Sequence, residues 1–231
     1  MSELVEGFRG AAGLLAGPDG GVRIIAWRTV MISGAATGLA ILAGVPLGYA
    51  IARRQFRGRT IVLGFINTGM GMPPVVVGLL VWLLLVRSGP LGSFDLIYTR
   101  TAMVLAQFLI ATPIVVGFTA ASVQALSPRL TDLLVVLGAG RVRRIWLLAR
   151  EAKLGLLVAI MAGFGGIISE VGASMTVGGN LERSTRVLTT AIVTETSRGE
   201  IERALALGVL LLALSFLVNL TLTLVQQRHR V

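Results

Sequence analysis

The stretch SPRLTDLLVVLGAGRVRRIWLLAREAK, residues 127–153, is a polar, arginine-rich segment between two long apolar runs. Just after Pro128, apolar residues recur at the spacing of one helix face: Leu130, Leu133, Leu134 and Leu137. Gly138-Ala139-Gly140 interrupts that helix, and the same spacing then returns at Val142, Ile145, Trp146 and Ala149. The pattern predicts two short amphipathic helices joined by a glycine turn. These helices form either a docking surface for a soluble partner protein or an ordinary loop on the lipid surface.

Five apolar stretches surround this segment, each long enough to cross a bilayer, which takes about 20 residues of α-helix. Four of them contain no charged residue: residues 29–52, 60–86, 101–128 and 204–227. The remaining stretch, residues 154–181, is interrupted only by Glu170. Little is left over for a soluble domain. We therefore expect an all-α, polytopic membrane protein with about five transmembrane helices, in which residues 127–153 form a cytoplasmic loop.

The formal net charge of +10 is unevenly distributed. If the chain starts outside and crosses five times, residues 53–59, residues 127–153 and the tail after Gln227 share one side. These segments carry twelve basic and two acidic residues, and the rest of the chain carries nine of each. The positive-inside rule makes that side cytoplasmic, with the N-terminus outside and the C-terminus inside. The positive charge suits the acidic lipid headgroups of the bilayer. The basic side chains are not accompanied by a platform of aromatic ones that could stack on nucleic-acid bases, which argues against nucleic-acid binding.

Several kinds of chemistry are excluded by the residues that the sequence lacks. There is no cysteine and one histidine, His229, so a His/Cys metal site within one chain is excluded. The lone lysine, Lys153, does not belong to a phosphate-binding loop. We expect no metal and no cofactor on this chain, and a membrane-embedded enzyme or scaffold is disfavoured. Residues 1–21 begin with acids rather than a basic signal peptide, and are expected to form an amphipathic interfacial segment.

Two features within the apolar stretches are candidates for a transport pathway. Pro73 and Pro74 lie near the middle of the second stretch, where they remove backbone donors and predict a broken helix. Such a break either lines a pathway or is a packing kink. Glu170 lies roughly 24 Å along a helix from Leu154, near the outer end of the fourth stretch. An acid at this depth is a functional candidate, but a structural, hydrogen-bonded role is favoured.

Polar residues between positions 177 and 203 form the longest predicted outer segment. Asn180, Thr185 and Arg186 belong to it, together with Arg183 and further threonines. Donors of this kind, with two arginines, could meet an oxyanion. The alternative is a re-entrant or surface segment whose charges are simply solvated.

The residues Asp132-Leu133-Leu134, followed by Gly138-Ala139-Gly140, resemble the EAA loop of permease subunits in binding-protein-dependent ABC importers. In that family the loop forms a coupling helix that docks in a groove of the cytoplasmic ATPase. The resemblance implies an ATPase-coupling role for Asp132, Leu133, Leu134, Leu137, Gly138, Ala139 and Gly140.

Further stretches resemble molybdate-type permeases, in the same order and spacing over about residues 22 to 227. They are Pro73-Pro74-Val75-Val76-Val77-Gly78, Ser169-Glu170-Val171-Gly172-Ala173, residues 185–192 and residues 204–208. The pair Glu170-Val171-Gly172-Ala173 and Val177-Gly178-Gly179-Asn180 is most similar to the tungstate permeases. The resemblance implies a pathway or gate role for Pro73, Pro74, Glu170, Gly172, Asn180, Thr185 and Arg186.

The resemblance also implies a whole assembly in a prokaryotic inner membrane. Residues 22–231 would be the transmembrane domain of a homodimer, bound to two ABC ATPase subunits and an extracytoplasmic oxyanion-binding protein. ATP and Mg²⁺ would bind the ATPase and not this chain. The implied function is ATP-driven import of tungstate, or of molybdate or sulfate. A secondary anion carrier or channel that works without an ATPase is the alternative.

Overall fold

The computed structural model describes Gly10, Gly13 and residues 21–228, and within these it omits the side chains of Pro128, Thr131, Asp132, Arg141 and Val142. The predicted interfacial segment, residues 1–21, therefore lies outside the described residues except at Gly10, Gly13 and Gly21. A 3₁₀ turn occupies Gly92–Phe94. The α-helices are α1 (Gly21–Arg53), α2 (Arg59–Met70), α3 (Pro74–Leu85), α4 (Arg100–Gln124), α5 (Pro128–Val136), α6 (Arg141–Glu151), α7 (Lys153–Ile168), α8 (Gly172–Gly178), α9 (Leu188–Ser197) and α10 (Ile201–Arg228).

Three of these helices, α1, α4 and α10, are each long and apolar enough to cross a bilayer. Two bent pairs also qualify: α2 with α3, bent by 102°, and α6 with α7, bent by 71°. Counting each bent pair as one span gives up to five spans, and no strand occurs between residues 21 and 228. The predicted all-α, polytopic fold class is confirmed.

Helix directions give the bundle two distinct ends. α1 and α4 run side by side in the same direction, as shown by the contacts Ser33–Gln107, Gly44–Val115 and Gly48–Thr119. α7 runs the opposite way, because its first turn lies beside the last turns of α4. One end, here called the basic end, carries residues 53–59 and 127–153. The opposite end, here called the far end, carries residues 86–100 and 179–203.

The contact between α1 and α4 depends on small residues spaced four apart on α1. Ala36, Ala40, Gly44 and Gly48 are all buried on one face of this helix. A Cβ added at Gly48 would lie 2.7 Å from the carbonyl oxygen of Val116, so the backbones are already at their closest approach. In a membrane, where lipid tails are as apolar as the protein, such close van der Waals packing is what favours helix association.

The predicted break at the double proline is present. α2 ends at Met70, and α3 begins at Pro74 with Pro73 as its N-terminal cap residue. The Gly69 carbonyl, whose helical partner would be the missing N–H of Pro73, accepts a 3.4 Å hydrogen bond from the Met72 amide instead. The chain thus turns by 102° with this carbonyl still satisfied.

The fourth apolar stretch forms two helices, and the expectation of one helix through Glu170 is wrong. α7 ends at Ile168 and α8 begins at Gly172. The side chain of Glu170 reaches forward to the first turn of α8, where its Oε1 accepts a 3.1 Å hydrogen bond from the Ala173 amide. This contact provides a partner for an amide that a short helix would otherwise leave free at its N-terminus.

Residues 177–203 differ from a solvated outer loop. They contain α9, whose Leu188, Thr189, Thr190 and Ala191 are buried. α9 packs on α10 and touches α1. The amide of Leu188 donates a 3.0 Å hydrogen bond to Thr29 Oγ1 of α1, which fixes the start of this helix inside the bundle.

Candidate coupling loop and translocation pathway

The predicted functional residues fall into two groups at different places in the fold. The predicted coupling residues lie between α5 and α6 at the basic end. Most of the predicted pathway residues lie where α7, α8 and the following loop meet, and the two prolines lie at the start of α3, Pro73 as its cap and Pro74 as its first residue. In the part of the chain that the structure describes, no cluster of three or more His, Cys, Asp or Glu side chains is placed to hold a metal ion.

The turn between α5 and α6 has a defined hydrogen-bond pattern. Gly138 adopts φ +70°, a left-handed conformation that favours glycine. The Gly138 amide donates to the Val135 carbonyl (2.9 Å), and the Ala139 amide donates to the Leu134 carbonyl (3.0 Å). This pair of bonds is a Schellman motif, which satisfies carbonyls that the end of α5 would leave free. A Cβ at Gly138 would meet no atom within 4 Å, so its backbone conformation and not crowding explains the glycine.

This turn presents apolar side chains at the basic end. Val136 is 83% exposed and Leu137 is 70% exposed, and Leu133 is also exposed, whereas Leu134 is buried. Of the other predicted coupling residues, Ala139 is half-buried, Gly138 and Gly140 are exposed, and the side chain of Asp132 lies outside the described residues. Adjacent exposed aliphatic side chains are typical of a surface that binds another protein or lipid.

The helix after the turn joins this surface to the bundle. α5 packs on α6, and α6 packs on α7. On α6, Leu148 is buried, while the Arg150 guanidinium lies 5.5 Å from the centre of the exposed Trp146 ring, a cation–π contact. The chain then bends by 71° at Ala152 into α7. The turn is therefore joined to α4 through α5 and to α7 through α6.

The double-proline segment and the Glu170 segment, which are far apart in sequence, meet in space. α3 packs directly on α8. A Cβ added at Gly78 would lie 2.6 Å from the Ala173 Cα, and one added at Gly172 would clash with the Val75 side chain. Glycine on both helices thus allows the two backbones to touch. Pro73 is exposed at the N-terminus of α3, and Pro74 is half-buried.

Glu170 makes contacts on both sides of the corner between α7 and α8. Its carboxylate accepts from the Ala173 amide, and its backbone carbonyl accepts a 3.2 Å hydrogen bond from Thr189 Oγ1 of α9. The half-buried side chain therefore ties the corner to α8, and the backbone carbonyl ties it to α9. These contacts are those expected of a structural residue.

Asn180, Thr185 and Arg186 hold the far-end loop in one conformation. The buried Thr185 hydroxyl accepts from the Leu181 amide (2.9 Å) and donates to the Gly178 carbonyl. Arg186 Nε donates to Asn180 Oδ1 (3.4 Å). Arg186 Nη1 also lies 3.2 Å from Glu182 Oε1, an ion pair, and the guanidinium has further N–H donors beyond these two contacts.

Two buried polar residues were not identified from the sequence as site residues. Gln107 accepts from Ser33 (3.1 Å) and donates to Ser174 (3.3 Å), linking α1, α4 and α8. Arg28 is only 6% exposed, although it precedes the first apolar stretch and has the sequence signature of an ordinary flanking charge. In the sequence, a buried arginine at the edge of an apolar run cannot be distinguished from one that is exposed to solvent.

Residues 44–231 match the profile of a family described as binding-protein-dependent transport system inner membrane component. The match includes the loop between α5 and α6 and the corner at Glu170. The chain belongs to this family. It is accordingly a multi-pass inner membrane protein and the permease component of an ABC transporter.

Named relatives agree with this assignment, and a solved structure shares the fold. The permease component is 43% identical over 196 residues to a probable anion ABC transporter permease protein of Haloferax volcanii, covering 83% of this chain and 84% of the relative. It is 39% identical over 219 residues to the tungstate uptake system permease protein TupB of Peptoclostridium acidaminophilum, covering 95% and 96%. Its fold matches a chain of the inward-facing MetNI methionine ABC transporter with a TM-score of 0.72 at 14% identity, covering 90% and 95%.

Proposed function

We propose that this permease component carries tungstate, or a related tetrahedral oxyanion such as molybdate or sulfate, into the cell. The support is the tungstate uptake named for one relative and the anion transport named for another. The arginines and threonines of the far end provide suitable hydrogen-bond donors for an oxyanion. The choice among these dianions would rest mainly with the separate binding protein.

We propose an assembly of two copies of this chain, two ABC ATPase subunits that bind ATP and Mg²⁺, and an extracytoplasmic oxyanion-binding protein. The basic end is cytoplasmic in this proposal, with the N-terminus outside and the C-terminus inside. The observation that carries the proposal is the exposed apolar turn at Val136 and Leu137, held by Gly138 at the basic end. A partner ATPase would cover these side chains.

A continuous series of contacts could carry ATPase motion from this turn to the pathway. The turn is attached to α6, α6 bends into α7 at Ala152, and α7 leads to the Glu170 corner. From there α8 packs on α3 through Gly78 and Gly172, just after the break at Pro73. We assign a gating role to the Pro73-Pro74 break and a positioning role to Glu170. Asn180, Thr185 and Arg186 would shape the outer mouth.

The test is Gly138→Val, assayed in proteoliposomes that contain the ATPase and the binding protein. A β-branched residue at φ +70° is strained by about 1–2 kcal/mol or more, and the turn should shift to relieve this strain. We expect ATP hydrolysis to continue while uptake per ATP falls. The fall should be roughly tenfold if the strain destabilises the state in which the ATPase is coupled to transport. Gly58→Val is the matched control, because Gly58 has φ +89° at the basic end but lies outside the loop.

Two results would contradict the proposal. One is a Gly138→Val protein with normal uptake for each ATP hydrolysed. The other is oxyanion uptake by the purified chain in liposomes without any ATPase, which is the behaviour of a stand-alone carrier or channel.

A further inference from the structure

A cleft of about 720 Å³ opens at the far end, between the first turns of α1, the loop before α9, and the start of α10. Its charged lining consists of Arg28, Arg183, Arg186, Arg203, Glu182 and Glu195. Four arginines face two glutamates, so the described lining is positive. None of the functional roles assigned above requires this cleft as a whole.

Arg28 is the deepest of these cations. Its guanidinium donates to the backbone carbonyls of Glu182 (3.0 Å) and Arg183. Its buried Nε has no hydrogen-bond partner among the described residues, and no carboxylate there lies within ion-pair distance. A buried charge without a counter-charge is unfavourable, so this position favours an anion beside it.

Both carboxylates of the cleft are already paired. Glu182 Oε1 lies 3.2 Å from Arg186. Glu195 Oε1 lies 3.5 Å from Arg198, which is not part of the lining. In the described portion of the chain this leaves Arg28, Arg183 and Arg203 without a carboxylate partner. The unpaired charge is therefore concentrated on three arginines from three different elements.

Part of the cleft wall is apolar. Val22 and Leu207 belong to one buried apolar cluster, and Ile25 packs against it. They come from the first turns of α1 and α10, two membrane-spanning helices, and most of α10 is not buried by the protein. The cleft thus combines a cationic rim with an apolar wall, and Ile24 of that wall is an exposed side chain on the membrane-spanning α1. A tetrahedral oxyanion group suits the rim, and a hydrocarbon chain attached to it suits the wall.

We propose that this arginine cleft binds a tetrahedral oxyanion group, and that its source is the phosphate of an anionic phospholipid in the leaflet at the far end. The apolar wall favours the lipid over a free oxyanion, which would gain nothing from it. Such a lipid would neutralise Arg28 and add to the contacts between α1 and α10, whose first turns share one buried apolar cluster. The proposal does not depend on which substrate is transported.

The test uses the full purified chain in detergent, with the double variant Arg183→Gln/Arg203→Gln. Both side chains are exposed and make no hydrogen bond or ion pair within the described residues, so the fold should tolerate the change. Arg28 is kept, because its bonds to the carbonyls of residues 182 and 183 hold the loop. Arg87→Gln is the matched control, since Arg87 is an exposed far-end arginine outside the cleft.

Native mass spectrometry would measure binding of phosphatidylglycerol and of phosphatidylcholine, and equilibrium dialysis would measure free phosphate and molybdate. We expect the unaltered chain and Arg87→Gln to prefer phosphatidylglycerol. The double variant should bind it at least tenfold more weakly, from the usual contribution of each surface arginine to binding of anionic lipid.

Each outcome decides the proposal. Arginine-dependent binding of free phosphate or molybdate, without a lipid preference, would support the oxyanion site and overturn the lipid as its source. Equal binding of phosphatidylglycerol by all three proteins, or no binding of any probe, would overturn the site. Uptake assays play no part in this decision, so it stands or falls separately from the transport function.

Discussion

At the scale of single residues, Glu170 shows how a charge within an apolar run is accommodated. Its carboxylate bonds the first free amide of α8, and its carbonyl bonds Thr189. Both contacts need an acceptor, and neither needs a negative charge. This distinction gives a direct test of whether Glu170 positions the corner or acts on the transported substrate.

Glu170→Gln should keep both contacts, because an amide oxygen also accepts hydrogen bonds. We expect its thermal stability in detergent and its uptake to stay close to those of the unaltered permease component. Glu170→Ala loses the bond to the Ala173 amide and should be less stable by about 1 kcal/mol, the usual cost of removing a helix-capping side chain. Uptake that is abolished in the glutamine variant despite normal stability would show that the charge itself is needed.

The sequence was informative for residues whose function depends on local backbone geometry. Gly138 lies after an amphipathic helix, and its left-handed conformation is the usual end of such a helix. Arg28 could not be recognised, because its burial depends on Glu182 and Arg183, more than 150 positions away. Nothing near Arg28 in the sequence encodes that contact.

At the scale of helices, packing rests on glycines at points of closest approach. Gly44 and Gly48 of α1 lie against Val115 and Thr119 of α4, and Gly78 of α3 lies against Ala173 of α8. Glycine weakens a helix by about 0.5–1 kcal/mol relative to alanine. At these positions the loss is offset by packing that a side chain would prevent.

Gly48→Ala should therefore destabilise the bundle by about 1–3 kcal/mol, the usual range for overpacking. Its Cβ would lie 2.7 Å from the backbone oxygen of Val116, which cannot rotate away. Gly34→Ala is the control on the same helix, because a Cβ there meets no atom within 4 Å. Thermal unfolding in detergent would compare them, and equal midpoints for the two variants would refute this account of the contact between α1 and α4.

Helices were predicted well where a local signal ends them and less well where a tertiary contact does. The double proline at Pro73 and Pro74 marks the break between α2 and α3 in any environment. The break after Ile168 lies in an apolar run that is equally compatible with one long helix. It is fixed by the contact of Gly172 with α3 and by the bonds of Glu170. The spacing of apolar residues along the sequence shows neither the Gly172 contact nor the Glu170 hydrogen bonds.

At the scale of the whole molecule, the charge pattern agrees with the fold. Residues 53–59 and 127–153, which the positive-inside rule placed together, lie at the same end of the bundle. α1 and α4 are the first and third of the five spans, and they run in the same direction, as alternate spans of one chain must. The absolute orientation of that end remains a prediction from charge.

Cysteine labelling would test the orientation without background, because the chain has no cysteine of its own. Val136→Cys at the basic end and Arg87→Cys at the far end are both exposed positions. With a membrane-impermeant maleimide on spheroplasts, we expect Arg87→Cys to react at once and Val136→Cys only after permeabilisation. The reverse pattern would place the loop between α5 and α6 outside and remove the basis for ATPase coupling.

The closed hydrogen bonds around Gly138 have a mechanical consequence. Because the carbonyls of Leu133, Leu134 and Val135 at the end of α5 each accept a hydrogen bond from this turn, the turn should resist twisting and move as a rigid unit. Compliance then belongs to the 71° bend at Ala152. A push on Leu137 would reach α7 as rotation about that bend, so a small displacement at the basic end would become a tilt of α7.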